Sequence, residues 1–99
     1  MILEKIVDSL VNEYNIDRII LFGSRATNIY RDDSDYDICI VCNDEKDKEK
    51  ILKCIIELMY ENAVNIHPYI YSKPEYEYRS NLEIYQKKIL KEGKLLYNQ

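Results

Sequence analysis

Apolar and polar positions recur along this chain with two periods, and the switches between them mark its elements. Leu3, Ile6, Val7, Leu10, Val11 and Tyr14 follow helical spacing, with Glu4, Asp8 and Glu13 on the other side. That stripe predicts an amphipathic helix ending near Asn15. Ile19-Ile20-Leu21-Phe22 is a continuous apolar run with β-branched residues, which predicts a strand at the centre of a sheet. Gly23-Ser24 then turns the chain, with Ser24 placed to cap a short helix through Arg25-Ala26-Thr27. The stretch from Asn28 to Ser34 has no pattern and is expected to be an exposed loop. Asp35 to Cys42 is a second strand.

Asn43-Asp44 starts a second long helix, with acidic residues in its first turn. Its apolar face is Ile51, Leu52, Ile55, Ile56, Leu58 and Met59, and Asn62 is its expected stop. From Val64 to Tyr71 the period returns to two, with Val64, Ile66 and Ile70 on one face and Asn65, His67, Tyr69 and Tyr71 on the other. Pro68 cannot donate a ladder hydrogen bond, so this third strand belongs at an edge or a bulge. Ser72-Lys73-Pro74-Glu75 caps a further helical stretch. That stretch is expected to break around Ser80-Asn81 and resume from Leu82 to about Glu92. Gly93 suits a helix end, and Lys94 to Tyr97 can add a short terminal strand.

Alternating helices and strands of this number predict an α/β fold: one small sheet with helices over one face. Ninety-nine residues make one modest core, so residues 1–99 are read as a single domain. A net charge of −4 and a pI near 5.0 argue against an extended nucleic-acid surface, which needs basic character. No apolar run approaches the roughly 20 residues of a membrane span, and the start lacks a secretory signal's layout. Three cysteines do not suggest a disulfide framework, and the cytoplasm is the expected location. Cys39 and Cys42 are three apart in a strand, so they face opposite sides and cannot clamp one metal. Cys54 lies on an apolar helical face and reads as a packed thiol.

The chemistry concentrates in Gly23-Ser24 and in Asp35-Tyr36-Asp37. Strand side chains alternate, so Asp35 and Asp37 point the same way. Two adjacent carboxylates repel unless a cation sits between them, and their hard oxygens suit Mg²⁺. Gly23 leaves room for close approach of a ligand, and free N–H groups at a helix start attract phosphate. Together these features read as a nucleoside triphosphate site.

Gly23-Ser24-Arg25-Ala26, a spacer, then Ser34-Asp35-Tyr36-Asp37 inside an apolar strand resembles the signature of the DNA polymerase β-like nucleotidyltransferase superfamily. The short chain resembles its minimal nucleotidyltransferases, including the closing segment Ile89-Leu90-Lys91-Glu92-Gly93-Lys94-Leu95-Leu96-Tyr97. The resemblance implies the polymerase β-like fold. It also implies Asp35 and Asp37 as catalytic metal ligands, and Gly23 and Ser24 against the β- and γ-phosphates of ATP. Arg25 is a candidate phosphate fork and Arg31 a weaker one. The superfamily's third acid has no counterpart here. Asn65 and His67 stand at that position, the first as a weak oxygen ligand, the second as a substitute base or simply a half-exposed strand residue.

The resemblance further implies AMP transfer, with one or two Mg²⁺ ions, to a tyrosine of a small HEPN-type partner that the chain neutralises as an antitoxin. The alternatives are a non-catalytic module that masks its partner by binding, and a transferase acting on a small molecule. Tyr76, Tyr78 and Tyr85 suit either a protein interface or packing against the domain itself.

Overall fold

The computed structural model describes residues 1–27, 34–85 and 91–99. The apolar stripe near the N-terminus becomes α1, Ile2–Glu13, which buries Ile6 and Leu10. The first strand, β1, runs Ile16–Phe22, three residues longer at its start than the apolar run alone indicated. Asp17 and Arg18 hid that extension; in the structure they pair with each other at 2.9 Å where the strand is irregular. A four-residue helix, α2, spans Ser24–Thr27, and β2 spans Tyr36–Cys42. The loop expected between them falls on residues 28–33, outside those described, and Arg31, Asp32 and Asp33 go with it.

After β2 the Asp44 side chain accepts from the Lys46 backbone N–H and starts a 3-10 turn, Glu45–Asp47. The long helix α3, Lys48–Asn62, follows and stops as expected at Asn62, with Ala63 in the left-handed conformation just beyond. Ile51, Ile55 and Leu58 of α3 are buried, whereas Leu52 and Ile56, expected on the same face, lie on its exposed flank. Strand β3, Ile66–Ser72, leads into α4, Lys73–Ser80, through Ser72, whose N–H and hydroxyl both donate to Glu75. A single helical turn, α5, covers Glu83–Tyr85, and Lys91-Glu92 form a turn rather than helix. Residues 86–90 of the expected last helix lie outside the described ones. The terminal strand β4, Lys94–Asn98, closes the chain.

The sheet order is β3-β2-β1-β4, with β2 and β3 parallel and the other pairs antiparallel. Thus β1 is central and the proline-bearing β3 is an edge, as the pattern required. The connection from β2 to β3 is α3, the crossover that parallel neighbours need. Helices α1 and α3 cover one face, where Ile6, Leu10, Ile51 and Ile55 meet Ile19, Leu21, Ile38, Ile40, Cys42 and Ile66. The other face carries a smaller cluster at one end, where Tyr76 and Tyr85 pack edge-to-face over Ile20, Cys39 and Val41. Cys39 and Cys42 therefore belong to opposite faces, and burial pushes the Cys39 thiol up to about 11. Tyr76 and Tyr85 are packing residues, whereas Tyr78 is exposed. Among the described residues no helix is long and apolar enough to cross a membrane.

Candidate active site

Three rows of side chains cross the second face of the sheet. Register places Phe22, Asp37 and His67 in the first, Ile20, Cys39 and Tyr69 in the second, and Arg18, Val41 and Tyr71 in the third. The aromatic cluster covers the third row, and Arg79 lies 4.9 Å over the Tyr71 ring. Among the described residues nothing covers the first row, where the Asp35 and Asp37 side chains stay 39% and 25% exposed. Asp37 is the second residue of β2, and Asp35 precedes the strand by one residue. Two residues apart in extended chain, they present their carboxylates to the same side.

His67 lies across both of them. Its Nε2 is 3.2 Å from Asp35 Oδ2 and its Nδ1 is 3.5 Å from Asp37 Oδ1. The half-exposed strand residue of the sequence reading thus has a specific place, set by its register with Asp37. Parallel pairing of β2 with β3 sets that register, which alternation alone does not show. Asn65 is set apart from the cluster. It lies before β3, its carbonyl accepts from Tyr36 N–H at 3.0 Å, and it lines a groove with Ile56, Met59 and Tyr60.

Burial pushes the Asp37 carboxyl above the usual range; His67 pulls it down and the like charge of Asp35 pushes it up. An anion so placed is stabilised by any cation that reaches it. Gly23 keeps the approach clear. It adopts φ +75°, a conformation that side chains rarely take, and a Cβ there would run into Asp37 Oδ2. The donor set therefore fits a divalent cation: two hard carboxylates on one face beside a glycine turn. It is not a finished cage. Among the described residues no group of three or more His, Cys, Asp or Glu side chains is arranged to hold a metal.

Ser24 opens α2 exposed to solvent beside this turn. Arg25, expected as a phosphate fork, turns elsewhere. Its Nε and Nη2 donate to the Ser34 carbonyl at 3.2 and 3.0 Å, and its guanidinium lies 4.3 Å over the Tyr36 ring. Arg25 braces the chain just before the acidic pair, and the planar fork that suits phosphate suits this carbonyl and ring equally well. A feature the sequence reading left unused is the Phe22–Tyr69 ring pair, 5.1 Å between centroids, next to the first row. Two aromatic residues at like-facing strand positions were the available signal. A groove of about 350 Å³ between α1 and α3, lined by Asp8, Glu13, Cys54, Glu57 and Glu61, belongs to the opposite layer.

Comparison with known proteins bears on this geometry. A protein of Methanocaldococcus jannaschii provisionally named a protein adenylyltransferase is 30% identical over 97 residues, covering 96% of this chain and 94% of its own. A second from the same organism, with the same provisional name, is 35% identical over 68 residues, 66% of this chain and 69% of its own. Among solved structures, a toxin–antitoxin assembly with AMP-PNP shares the fold at TM-score 0.63 and 18% identity, across 99% of this chain and 72% of that one. A complex of a tri-AMPylated Shewanella oneidensis HEPN toxin with an MNT antitoxin matches at TM-score 0.60 and 18% identity, covering 99% and 71%. The sequence model of the family described as "Polymerase beta, Nucleotidyltransferase" spans residues 4–99, nearly all of the sheet and its helices. The chain belongs to the polymerase β nucleotidyltransferase family.

Proposed function

We propose that this chain transfers AMP from ATP to a tyrosine hydroxyl of a HEPN-type partner protein in the cytoplasm, and so acts as an antitoxin. The observation that carries the reading is the pair Asp35 and Asp37 on the open face, with the Gly23 turn against Asp37. The provisional names of its relatives support adenylyl transfer, and the assemblies that share its fold support a HEPN partner.

Asp35 and Asp37 would hold a divalent ion, and two carboxylates alone would select Mg²⁺. When bound, such an ion would supply positive charge that favours displacement at the triphosphate. Gly23 and Ser24 would meet the β- and γ-phosphates, and a glycine at the turn, which carries no Cβ, would allow their close approach. The acceptor oxygen bonds to the α-phosphorus, the bond from that phosphorus to the β-phosphate bridging oxygen breaks, and pyrophosphate departs. The hydroxyl proton is lost to solvent. Arg25 contributes by holding Ser34, and with it the start of the acidic pair. Residues 1–99 act as one minimal domain, and the partner completes the shallow face.

One observation favours a second reading. His67 stands across both carboxylates and β3 offers no third acid beside them, which suits a module that masks its partner by binding. Label transfer separates the two. With the partner present, ATP labelled at the α-phosphate should mark it covalently and ATP labelled at the γ-phosphate should not. Partner captured by the chain but marked by neither nucleotide would establish masking.

A further inference from the structure

We infer that Tyr69, propped against Phe22, is the seat on which the acceptor's phenol ring stacks before transfer. The inference rests on the proposed AMP transfer and adds the side from which the acceptor arrives and the ring that receives it. Reaction geometry sets the side. In an in-line displacement the attacking and leaving oxygens stand on opposite sides of the phosphorus. Pyrophosphate would leave toward Gly23 and Ser24, which follow the end of β1. Asp37 lies on β2, next across the sheet, so the attacking hydroxyl comes from the β3 side. The β3 side chains on Asp37's face are His67, Tyr69 and Tyr71, and Arg79 lies over the last.

The face offers the route that the edge denies. A partner strand adding to β3 would need outward N–H groups. Ile66 N–H is taken by Met59 Sδ at 3.2 Å, Ser72 N–H by Glu75 at 3.0 Å, and Pro68 has none. The acceptor segment therefore meets the side chains of β3 rather than its backbone. Tyr69 is 39% exposed on that path. It stands two residues beyond His67, about 7 Å along the strand, so a ring stacked there brings its hydroxyl within reach of the acidic pair.

Phe22 gives the seat its fixed position. Its ring reaches from β1 across β2 to Tyr69, with centroids 5.1 Å apart and planes tilted by 59°. Tilted and offset aromatic pairs are favourable beyond the area they bury, and a third ring can extend such a pair. A tyrosine acceptor brings that ring. A serine or threonine acceptor brings none, so the seat selects the phenol over the aliphatic hydroxyl. The adenosine of ATP leaves the α-phosphorus to the side of the line of attack. The ring on the attacking side is therefore left to the acceptor.

The test titrates two probes into the isotopically labelled full chain and follows them by nuclear magnetic resonance. One probe is N-acetyl-tyrosinamide, for the acceptor. The other is α,β-methylene ATP with Mg²⁺, which cannot transfer AMP. The acceptor probe should move the signals of Tyr69, Phe22 and His67, and N-acetyl-serinamide should not. Tyr69→Ala should weaken the acceptor probe by about fivefold or more, the order of one lost ring contact, and Tyr69→Phe should keep it. Tyr69→Leu repeats the test with bulk retained and the ring removed. Affinity for the ATP analogue should be the same in all of them. An acceptor probe that binds elsewhere, binds nowhere, or ignores the loss of the ring would overturn the inference while leaving the nucleotide site standing. Loss of the ATP analogue in Tyr69→Ala and Tyr69→Leu would give the ring to adenine and overturn it as well. Failure of the natural chain to bind the analogue would overturn the nucleotide reading beneath it, and the inference with it.

Discussion

Gly23 and Asp37 constrain each other at the closest approach in the site. A methyl group at residue 23 would meet the Asp37 carboxylate and would also have to adopt φ +75°. Left-handed backbone costs an ordinary residue about 1–2 kcal/mol, and the collision adds to it. Gly23→Ala should therefore lower stability by at least about 1 kcal/mol in a denaturant titration. AMP transfer should fall by about a hundredfold, since misplacement by an ångström at a reacting centre costs that much. Asp37 carries a second prediction, for protein kept in chelator. Burial, chiefly, raises its carboxyl in the folded state. A raised carboxyl binds its proton more readily folded than unfolded, so ionising it as pH rises from acid costs stability. Asp37→Asn should remove that loss and melt higher than the natural chain at neutral pH, though inactive. A lower melting temperature for the variant would show that the His67 contact outweighs the burial.

The residues of the turn and the acidic pair were legible because each is demanded by local chemistry: a glycine at a close approach, two carboxylates in one extended segment. Arg25 was not. Its type suits phosphate, a carbonyl and an aromatic ring alike, and only the path of the chain to Ser34 and Tyr36 chose among them. His67 was half legible, since alternation showed its face but not its register.

The elements owe their ends to a few capping groups, and two of these make predictions. Helix α3 ends with Ala63 at φ 51°, a left-handed residue that is not glycine. Glycine takes that conformation without the Cβ penalty. Ala63→Gly should stabilise the fold by about 1 kcal/mol, read as a higher melting temperature. The first turn of helix α4 holds Glu75, which accepts from Ser72 and from Lys48 Nζ at 2.8 Å. The Lys48 contact, foremost, and the Ser72 N–H bring its carboxyl down from 4.5 to about 2. A lowered carboxyl stabilises the fold above its unfolded value, and that contribution drains away as pH falls from about 4.5 to about 2. Glu75→Gln keeps an oxygen for the cap and loses only the charge, so it should cost about 1 kcal/mol or less at neutral pH, the pair with Lys48 being exposed. The variant and the natural chain should converge at the acid end of that range. Equal stability at neutral pH would show that the Glu75 charge contributes nothing to the fold.

Element type followed from period, and boundaries followed less well. Asp17 and Arg18 broke the apolar run, so β1 began earlier than the run did; their mutual ion pair is what lets two charges sit in a central strand. Leu52 and Ile56 were assigned to a buried face because apolar side chains alone do not show how wide a helix's covered stripe is.

At the scale of the whole molecule, the chain extends 33 by 30 by only 19 Å, a four-stranded sheet with α1 and α3 over one face and the short α4 and α5 over one end of the other. The fold class was legible because three strands, a crossover helix and an edge proline admit few arrangements. The small aromatic cluster of Tyr76 and Tyr85 on the second face was not, since tyrosine spacing fits an interface as well as a core. That cluster covers one end of the face and leaves the carboxylates uncovered at the other. Among the described residues no second wall stands over the carboxylates, and the proposed partner would supply it. The central claim is that Asp35 and Asp37 drive covalent modification of that partner. Its most direct test is the intact mass of the protein captured from host lysate with ATP and a divalent ion. The natural chain and the Asp35→Asn/Asp37→Asn double variant would be compared. The captured partner should be heavier by one or more AMP units with the natural chain and unshifted with the variant. The same unshifted mass with both forms would contradict it.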